Sequence, residues 1–189
     1  MNVSFIEAIT LFFKKYADFK GRATRAEFWW AYLGMVVIST IIQVASSLFI
    51  RINPADFNPY DIASFIGIGL RANIPGMIFS LAIMVPQIAI SCRRLHDIGR
   101  SGKWLLLFYC IVMIGYALVI TGIFTTFSHL LSGNVSSGLM LIGLGFLPIL
   151  GGVIWMLVWF VTPSDADNKY GPDPYPNERQ PMQQWPQNF

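Results

Sequence analysis

Long apolar segments separated by short polar ones dominate the pattern of the chain. A helix needs about 20 apolar residues to cross the hydrocarbon core of a bilayer. Residues 28–50 and 72–92 carry no charge. The uncharged run 104–164 is too long for one helix, and its segment 128–138, rich in Gly, Asn and Ser, favours a turn. The pattern therefore predicts four membrane-spanning helices, over 28–50, 72–92, 104–127 and 139–162.

Three other segments have patterns of their own. Ser4 and Glu7 fit a capping box, and the apolar positions that follow share one helical face, which predicts a helix lying in the membrane interface. Residues 62–70, in the outer loop 51–73, are apolar but too short to span, and predict a re-entrant or surface helix. The tail 163–189 holds six of the eleven prolines and should be irregular.

These elements predict an all-α integral membrane four-helix bundle, with an N-terminal amphipathic interfacial helix and an irregular C-terminal tail. Residues 1–162 would form a single transmembrane domain, and 163–189 a Pro-rich cytoplasmic tail. Only 12% of the residues are charged, against about 25% in soluble domains. The composition therefore agrees with lipid as the main solvent.

The positions of Lys and Arg predict the orientation in the membrane. Five precede the first span, four lie between the second and third spans, and two are in the tail, which makes eleven on one side. The other side has only Arg51 and Arg71. Since basic residues stay in the cytoplasm, both termini should be cytoplasmic.

The densest polar stretch is SCRRLHDIGRSGKW, residues 91–104. It has a purely topological interpretation, in which cations hold the loop in the cytoplasm and suit a helix C-terminus. It also permits binding, because arginine forks suit lipid phosphates at headgroup depth. Asp97 would pair with Arg93 if the second span continued that far. The predicted site for anionic headgroups consists of Arg22, Arg25, Arg93, Arg94, Arg100 and Lys103.

Catalysis, metal binding and nucleic-acid binding are disfavoured. His96 and Asp97 are adjacent and point in different directions on a helix, and no nucleophile signature accompanies them. His129 would lie on the opposite membrane face from His96, so the two cannot share a metal. The sequence GRSGK lacks the spacing of a P-loop. We therefore predict no catalytic residue, no metal, no cofactor and no nucleic-acid partner.

Polar and helix-breaking residues within the spans leave a transporter or channel subunit as the alternative function. Pro75, Pro86 and Pro148 permit kinks, and Gln43 and Gln87 are polar at membrane depth. Yet no Asp, Glu, Lys, Arg or His lies well inside a predicted span, where proton relays and ion sites usually need one.

Small residues suggest how the helices pack. Gly138, Gly145 and Gly152 recur every seven residues, so they fall on nearly one stripe of the fourth helix. Such a stripe serves either packing within the bundle or a homodimer face. The two cysteines, Cys92 and Cys110, are too few for a disulfide framework and are interpreted as reduced packing residues.

Three motifs then point to a known family. The sequences FKGRATRAEFWW, SCRRLHDIGRSGKW and NKYGPDPY, in this order, resemble the bacterial inner-membrane family called domain of unknown function 805, from about Phe13 to Tyr175. The resemblance implies a small integral membrane protein without an assigned activity. The family's motif positions correspond to Gly21, Arg22, Arg25, Glu27, Trp29, Arg93, Arg94, Leu95, His96, Asp97, Gly99, Lys103, Asn168, Tyr170 and Gly171.

Because all three motifs fall on the predicted cytoplasmic side, we expect them to meet in one polar cluster. Glu27 would offset an arginine of the segment 93–100, and Asp97 would pair with Arg22 or Arg25. The members of this structural cluster would be Glu27, His96, Asp97, Asn168 and Tyr170. The sequence thus predicts a non-enzymatic inner-membrane protein that binds anionic lipid headgroups or partner proteins, a second copy among them, through its cytoplasmic face.

Overall fold

The computed structural model describes residues 3–49, 62–129 and 135–174. Within these ranges the chain forms five helices, and the only β-type pairing is an isolated bridge between Asn168 and Gly171. The predicted all-α class is therefore confirmed. The helices are α1 (Phe5–Lys14), α2 (Arg25–Phe49), α3 (Ile62–Asp97), α4 (Lys103–Ser128) and α5 (Ser136–Val161).

Four of these helices are long and apolar enough to cross a membrane. They cover Arg25–Phe49, Asn73–Asp97, Lys103–Ser128 and Ser136–Val161, which confirms the four predicted spans. Apolar side chains along them face outward; Leu106, Ile120 and Leu147 are each at least 65% exposed. A soluble protein rarely exposes so much continuous apolar surface, so these faces suit lipid.

The second span differs from its prediction at both ends. The segment 62–70 is continuous with α3 instead of forming a separate re-entrant or surface helix, and α3 runs on through Pro75 and Gly76. At the other end α3 continues five residues past position 92, to Asp97. The apolar run ends at position 92, but the helix continues through polar residues. Arg94 and His96 in its last turn are favourable there, because basic side chains complement the dipole at a helix C-terminus. Gly99, with φ +69°, follows the helix end.

The chain divides into two compact units. The first unit comprises residues 1–19 and 26–90, with α1, α2 and most of α3. The predicted capping box of Ser4 and Glu7 is present at the beginning of α1. The Ile9 side chain lies so close to Gly34 that a Cβ there would come within 2.8 Å of it. α1 thus packs on α2, while its place in the membrane interface stays a prediction.

The second unit comprises residues 20–25 and 91–189, including α4, α5 and the tail. Here the glycine stripe of α5 lies against α4. A Cβ on Gly145 would be 2.7 Å from the Gly115 carbonyl oxygen, and one on Gly138 would be 2.7 Å from that of Gly122. The stripe therefore serves intramolecular packing. That residues 1–162 form a single domain stays a prediction.

Candidate functional site

A buried carboxylate, Asp97, is the centre of the polar cluster in the second unit. Its side chain is fully buried. The Oδ1 atom accepts a hydrogen bond from Arg22 Nε at 3.0 Å, and Oδ2 accepts from Arg94 Nη1 and from Ser164 Oγ. Two guanidinium groups therefore share one carboxylate away from water. A buried charge of this kind needs such partners to be tolerated.

Arg22 connects this carboxylate to the first part of the tail, residues 163–172, which we call the tail strap. Nη1 of Arg22 donates to the carbonyls of Ala166 at 2.9 Å, Gly171 at 3.0 Å and Pro172 at 3.1 Å. Its Nη2 donates to the Asp165 carbonyl at 2.6 Å. A planar guanidinium with five donors can hold several acceptors at once, which an ammonium group cannot do in this geometry. Arg22 thus clamps the strap.

Arg94 plays a comparable part at the end of α5. Its Nε donates to the Phe160 carbonyl at 3.1 Å, and Nη2 donates to the Thr162 carbonyl. The last carbonyls of a helix have no partner within the helix, so a cation there satisfies them and complements the dipole. The side chain is fully buried.

His96 brings the third motif into the same cluster. Its ring stacks on that of Tyr170, with centroids 3.8 Å apart and planes 7° from parallel. Its Nδ1 lies 3.2 Å from the Gly21 carbonyl, and Asn168 Nδ2 donates to the His96 carbonyl at 3.0 Å. Gly21 has φ +77°, a conformation that favours glycine.

Backbone hydrogen bonds fix the same three segments. The Ala23 amide donates to the Arg93 carbonyl at 3.1 Å, and the Asp165 amide donates to the Asp97 carbonyl at 2.9 Å. Segments 20–25, 93–97 and 164–171 therefore meet within the second unit, and they contain most of the residues that the sequence assigned to the cluster.

The predicted site residues divide into buried and exposed groups. The sequence expected Asp97 to pair with Arg22 or Arg25, and with Arg93 if the helix continued that far. The structure pairs it with Arg22 and with Arg94. Glu27 is buried near the beginning of α2, and its pairing with an arginine of 93–100 stays a prediction. Arg22, Arg93 and Arg94 are largely or fully buried, whereas Arg25, Arg100 and Lys103 are exposed.

A second feature, the tryptophan edge, consists of Trp104, Trp155 and Trp159 at neighbouring ends of α4 and α5. The ring centroids of Trp104 and Trp159 are 5.4 Å apart, and those of Trp155 and Trp159 are 4.7 Å apart. The guanidinium carbon of Arg100 lies 4.2 Å from the Trp159 ring centroid, in cation–π geometry. Tryptophan is typical of the membrane–water boundary, so this edge indicates the depth of a headgroup layer.

Sequence reasoning missed Ser164, which donates to Asp97, and the carbonyl groups of the strap. A serine directly after the helix-ending Pro163 gives little signal by itself. Backbone acceptors in an irregular segment give none, because any residue type supplies a carbonyl.

The fold and the site together define a class: an integral membrane protein with four apolar helices, whose polar tail is fastened by a buried arginine–aspartate cluster. The chain belongs to the family described as Protein of unknown function (DUF805), whose model matches residues 16–172.

The curated relatives agree with this membership. Inner membrane protein YhaI of Escherichia coli K12 is 34% identical over 96 residues, covering 51% of this chain and 65% of that relative, slightly under two thirds of its length. Inner membrane protein YhaH of the same organism is 30% identical over 107 residues, covering 57% of this chain and 75% of that relative. No solved structure matches. The chain is thus an inner-membrane protein of this family.

Proposed function

We propose that this protein is a non-enzymatic membrane component that binds anionic lipid headgroups at the cytoplasmic surface. The carrying observation is the position of Arg100, exposed and lying over Trp159 in the tryptophan edge. Lys103, also exposed, is the first residue of α4. Cations beside interfacial indoles meet lipid phosphates at that depth, where each is worth about 1 kcal/mol of attraction to an anionic leaflet.

The buried arginines have a different part in this proposal. Arg22 and Arg94 donate to Asp97 and to backbone carbonyls, so their hydrogen-bonding capacity is engaged within the protein. They hold the surface together, and the exposed cations Arg25, Arg100 and Lys103 contact the headgroups. This division narrows the six-residue site predicted from the sequence to its exposed members.

The orientation is part of the proposal. Eleven basic residues on one side against two on the other put both termini and the loop 98–102 in the cytoplasm. A reporter that is active only in the cytoplasm should therefore be active when it is fused into that loop, and a reporter that is active only in the periplasm should not. Activity of a periplasm-specific reporter there would contradict the orientation.

Lipid binding is testable by native mass spectrometry of the protein released from nanodiscs that contain anionic and zwitterionic lipids. Arg100→Gln and Lys103→Gln should each reduce the anionic lipid retained, and the double variant more than either. Arg71→Gln is the matched control, because it removes one exposed cation on the opposite predicted side. Equal retention by the double variant and the wild type would reject headgroup binding; a protein retained in place of lipid would favour a partner protein.

A small transporter or channel subunit is the second candidate, and one observation in the first unit favours it. Gln43 Nε2 donates to Asn73 Oδ1 at 2.9 Å. The pair lines an open groove of about 420 Å³ together with Ser39 and Ser80. Polar side chains facing a groove between spans can bind a solute. Flux into proteoliposomes above that of empty vesicles, lost in Gln43→Leu, would support this function instead.

A further inference from the structure

Cys92 and His96 are paired on the last turns of α3, within the second unit. They are four residues apart, so they share a helix face. The Cys92 sulfur lies 3.6 Å from His96 Nε2. Both side chains are partly accessible, and Cys92 is a thiol outside any disulfide. A thiol and an imidazole at this spacing form a two-ligand set, as paired histidines do in helical zinc motifs.

The imidazole is already oriented as a ligand. The Gly21 carbonyl is only an acceptor, so His96 Nδ1 must carry the proton that it donates to that carbonyl. In the neutral ring, Nε2 then has a lone pair, and this atom is the ring nitrogen near the Cys92 sulfur. Stacking on Tyr170 fixes the ring plane. A backbone carbonyl on the far nitrogen of a metal-binding histidine is the usual outer-shell partner.

The distance between the two atoms also fits a metal between them. Sulfur and nitrogen ligands lie about 2.3 Å and about 2.0–2.1 Å from Zn²⁺, which puts them roughly 3.6 Å apart across a tetrahedral angle. The structure has 3.6 Å. Gly102 packs directly against the sulfur, since a Cβ at that position would overlap Cys92 Sγ.

We propose that Cys92 and His96 form a binding site for a thiophilic metal ion of the Cu⁺ and Zn²⁺ class. The described part of the chain holds no group of three or more His, Cys, Asp and Glu side chains suited to a metal. The site therefore has two protein ligands and leaves its other positions to water or a small ligand. Closed structural zinc sites have four protein ligands, so this one suits reversible loading.

Local charge favours the monovalent ion. A thiolate and a neutral imidazole carry one negative charge together, so Cu⁺ gives a neutral complex and Zn²⁺ a positive one. Arg93 is adjacent in sequence, and Lys169 Nζ lies 5.0 Å from the Tyr170 ring centroid. These cations disfavour added positive charge, and soft thiolate ligands select Cu⁺. The thiol proton is released to water on binding.

The test uses the full chain in detergent or nanodiscs, with two probes in separate arms. Cd²⁺ replaces Zn²⁺ and reports thiolate ligation by ultraviolet charge-transfer absorption. Cu⁺ is offered as a complex with a chromogenic chelator, whose loss of colour reports transfer to the protein. Wild type and Cys110→Ser should bind one ion per chain in at least one arm. Cys92→Ser should lose that binding, and His96→Gln should weaken it by at least about tenfold.

A measurement on the wild type alone is also needed, because a variant could lose metal binding simply by misfolding. Alkylation of Cys92, followed by peptide mass spectrometry, should slow when the bound ion is present and recover after chelation. Absence of binding in both arms, binding that persists in Cys92→Ser, or unchanged affinity in His96→Gln would each overturn the site. None of these outcomes depends on the lipid retention measured for Arg100 and Lys103, so the two proposals fail separately.

Discussion

Replacing Asp97 by Asn tests the buried cluster most severely, because the two side chains have nearly the same shape. The carboxylate accepts from Arg22, Arg94 and Ser164 with no exposure to solvent. An amide in its place keeps one acceptor oxygen and turns an NH₂ group toward donors. Two buried guanidinium groups then lose their counter-charge.

The expected loss follows from that geometry. Removing one partner of a buried ion pair costs about 3–5 kcal/mol, mostly because the remaining charge stays buried without compensation. Arg94 is fully buried and the Arg22 side chain is 6% exposed, so rearrangement toward water offers little relief. We therefore expect Asp97→Asn to lower the free energy of unfolding of the second unit by about 3–5 kcal/mol.

Titration with sodium dodecyl sulfate in mixed micelles measures this loss, with tryptophan fluorescence as the signal. Trp104, Trp155 and Trp159 lie in the same unit and report its unfolding. Asp167→Asn is the matched control: Asp167 is exposed, and its hydrogen bond from the Asp173 amide survives in an asparagine. The control should change the free energy by less than about 0.5 kcal/mol. Equal stability of both variants would refute the reasoning.

Two further predictions concern close approaches of the backbone. Gly145→Ala places a Cβ 2.7 Å from the Gly115 carbonyl oxygen and should lower the free energy of unfolding by about 1–3 kcal/mol in the same titration. Gly143→Ala is the control, because a Cβ there has nothing within 4 Å, and it should leave the free energy of unfolding unchanged or raise it. Equal effects of the two variants would contradict the close packing of α4 on α5. Gly99→Ala should lower the free energy of unfolding by about 1–2 kcal/mol through the left-handed backbone conformation alone, and the contact of the new Cβ with Asp165 should lower it further. An unchanged titration midpoint would mean that the turn does not need glycine.

The sequence predicted the spans well because their determinants are local. Uncharged runs of sufficient length and the turn-forming residues between them depend only on neighbouring residues, and four apolar helices are found where they were expected. The end of α3 was placed too early because apolar character was taken as the limit of the helix. Arg93, Arg94 and His96 are helical although they are polar.

The sequence predicted which residues form the polar cluster, but it predicted their pairing only in part and their burial not at all. The three motifs identified Arg22, Asp97 and Tyr170, and charge balance suggested a pair of Asp97 with either Arg22 or Arg25. Burial was not predictable, because a run of cations next to a span is equally consistent with a solvated surface. The pairing of Cys92 with His96 had a signal in its spacing of four residues, but it becomes informative only once the helix is known to continue to Asp97.

Arg22 fastens the tail strap to the rest of the second unit. Hydrogen exchange measures this directly, since the amides of Asp165, Asn168 and Gly171 all donate to carbonyls in the structure. In the wild type these amides should exchange slowly, and in Arg22→Gln they should exchange at near-unfolded rates. Lys20→Gln is the control, because it neutralises an exposed cation in the same segment, and it should leave the amides protected. Fast exchange of the strap in the wild type, or undiminished protection in Arg22→Gln, would contradict the account.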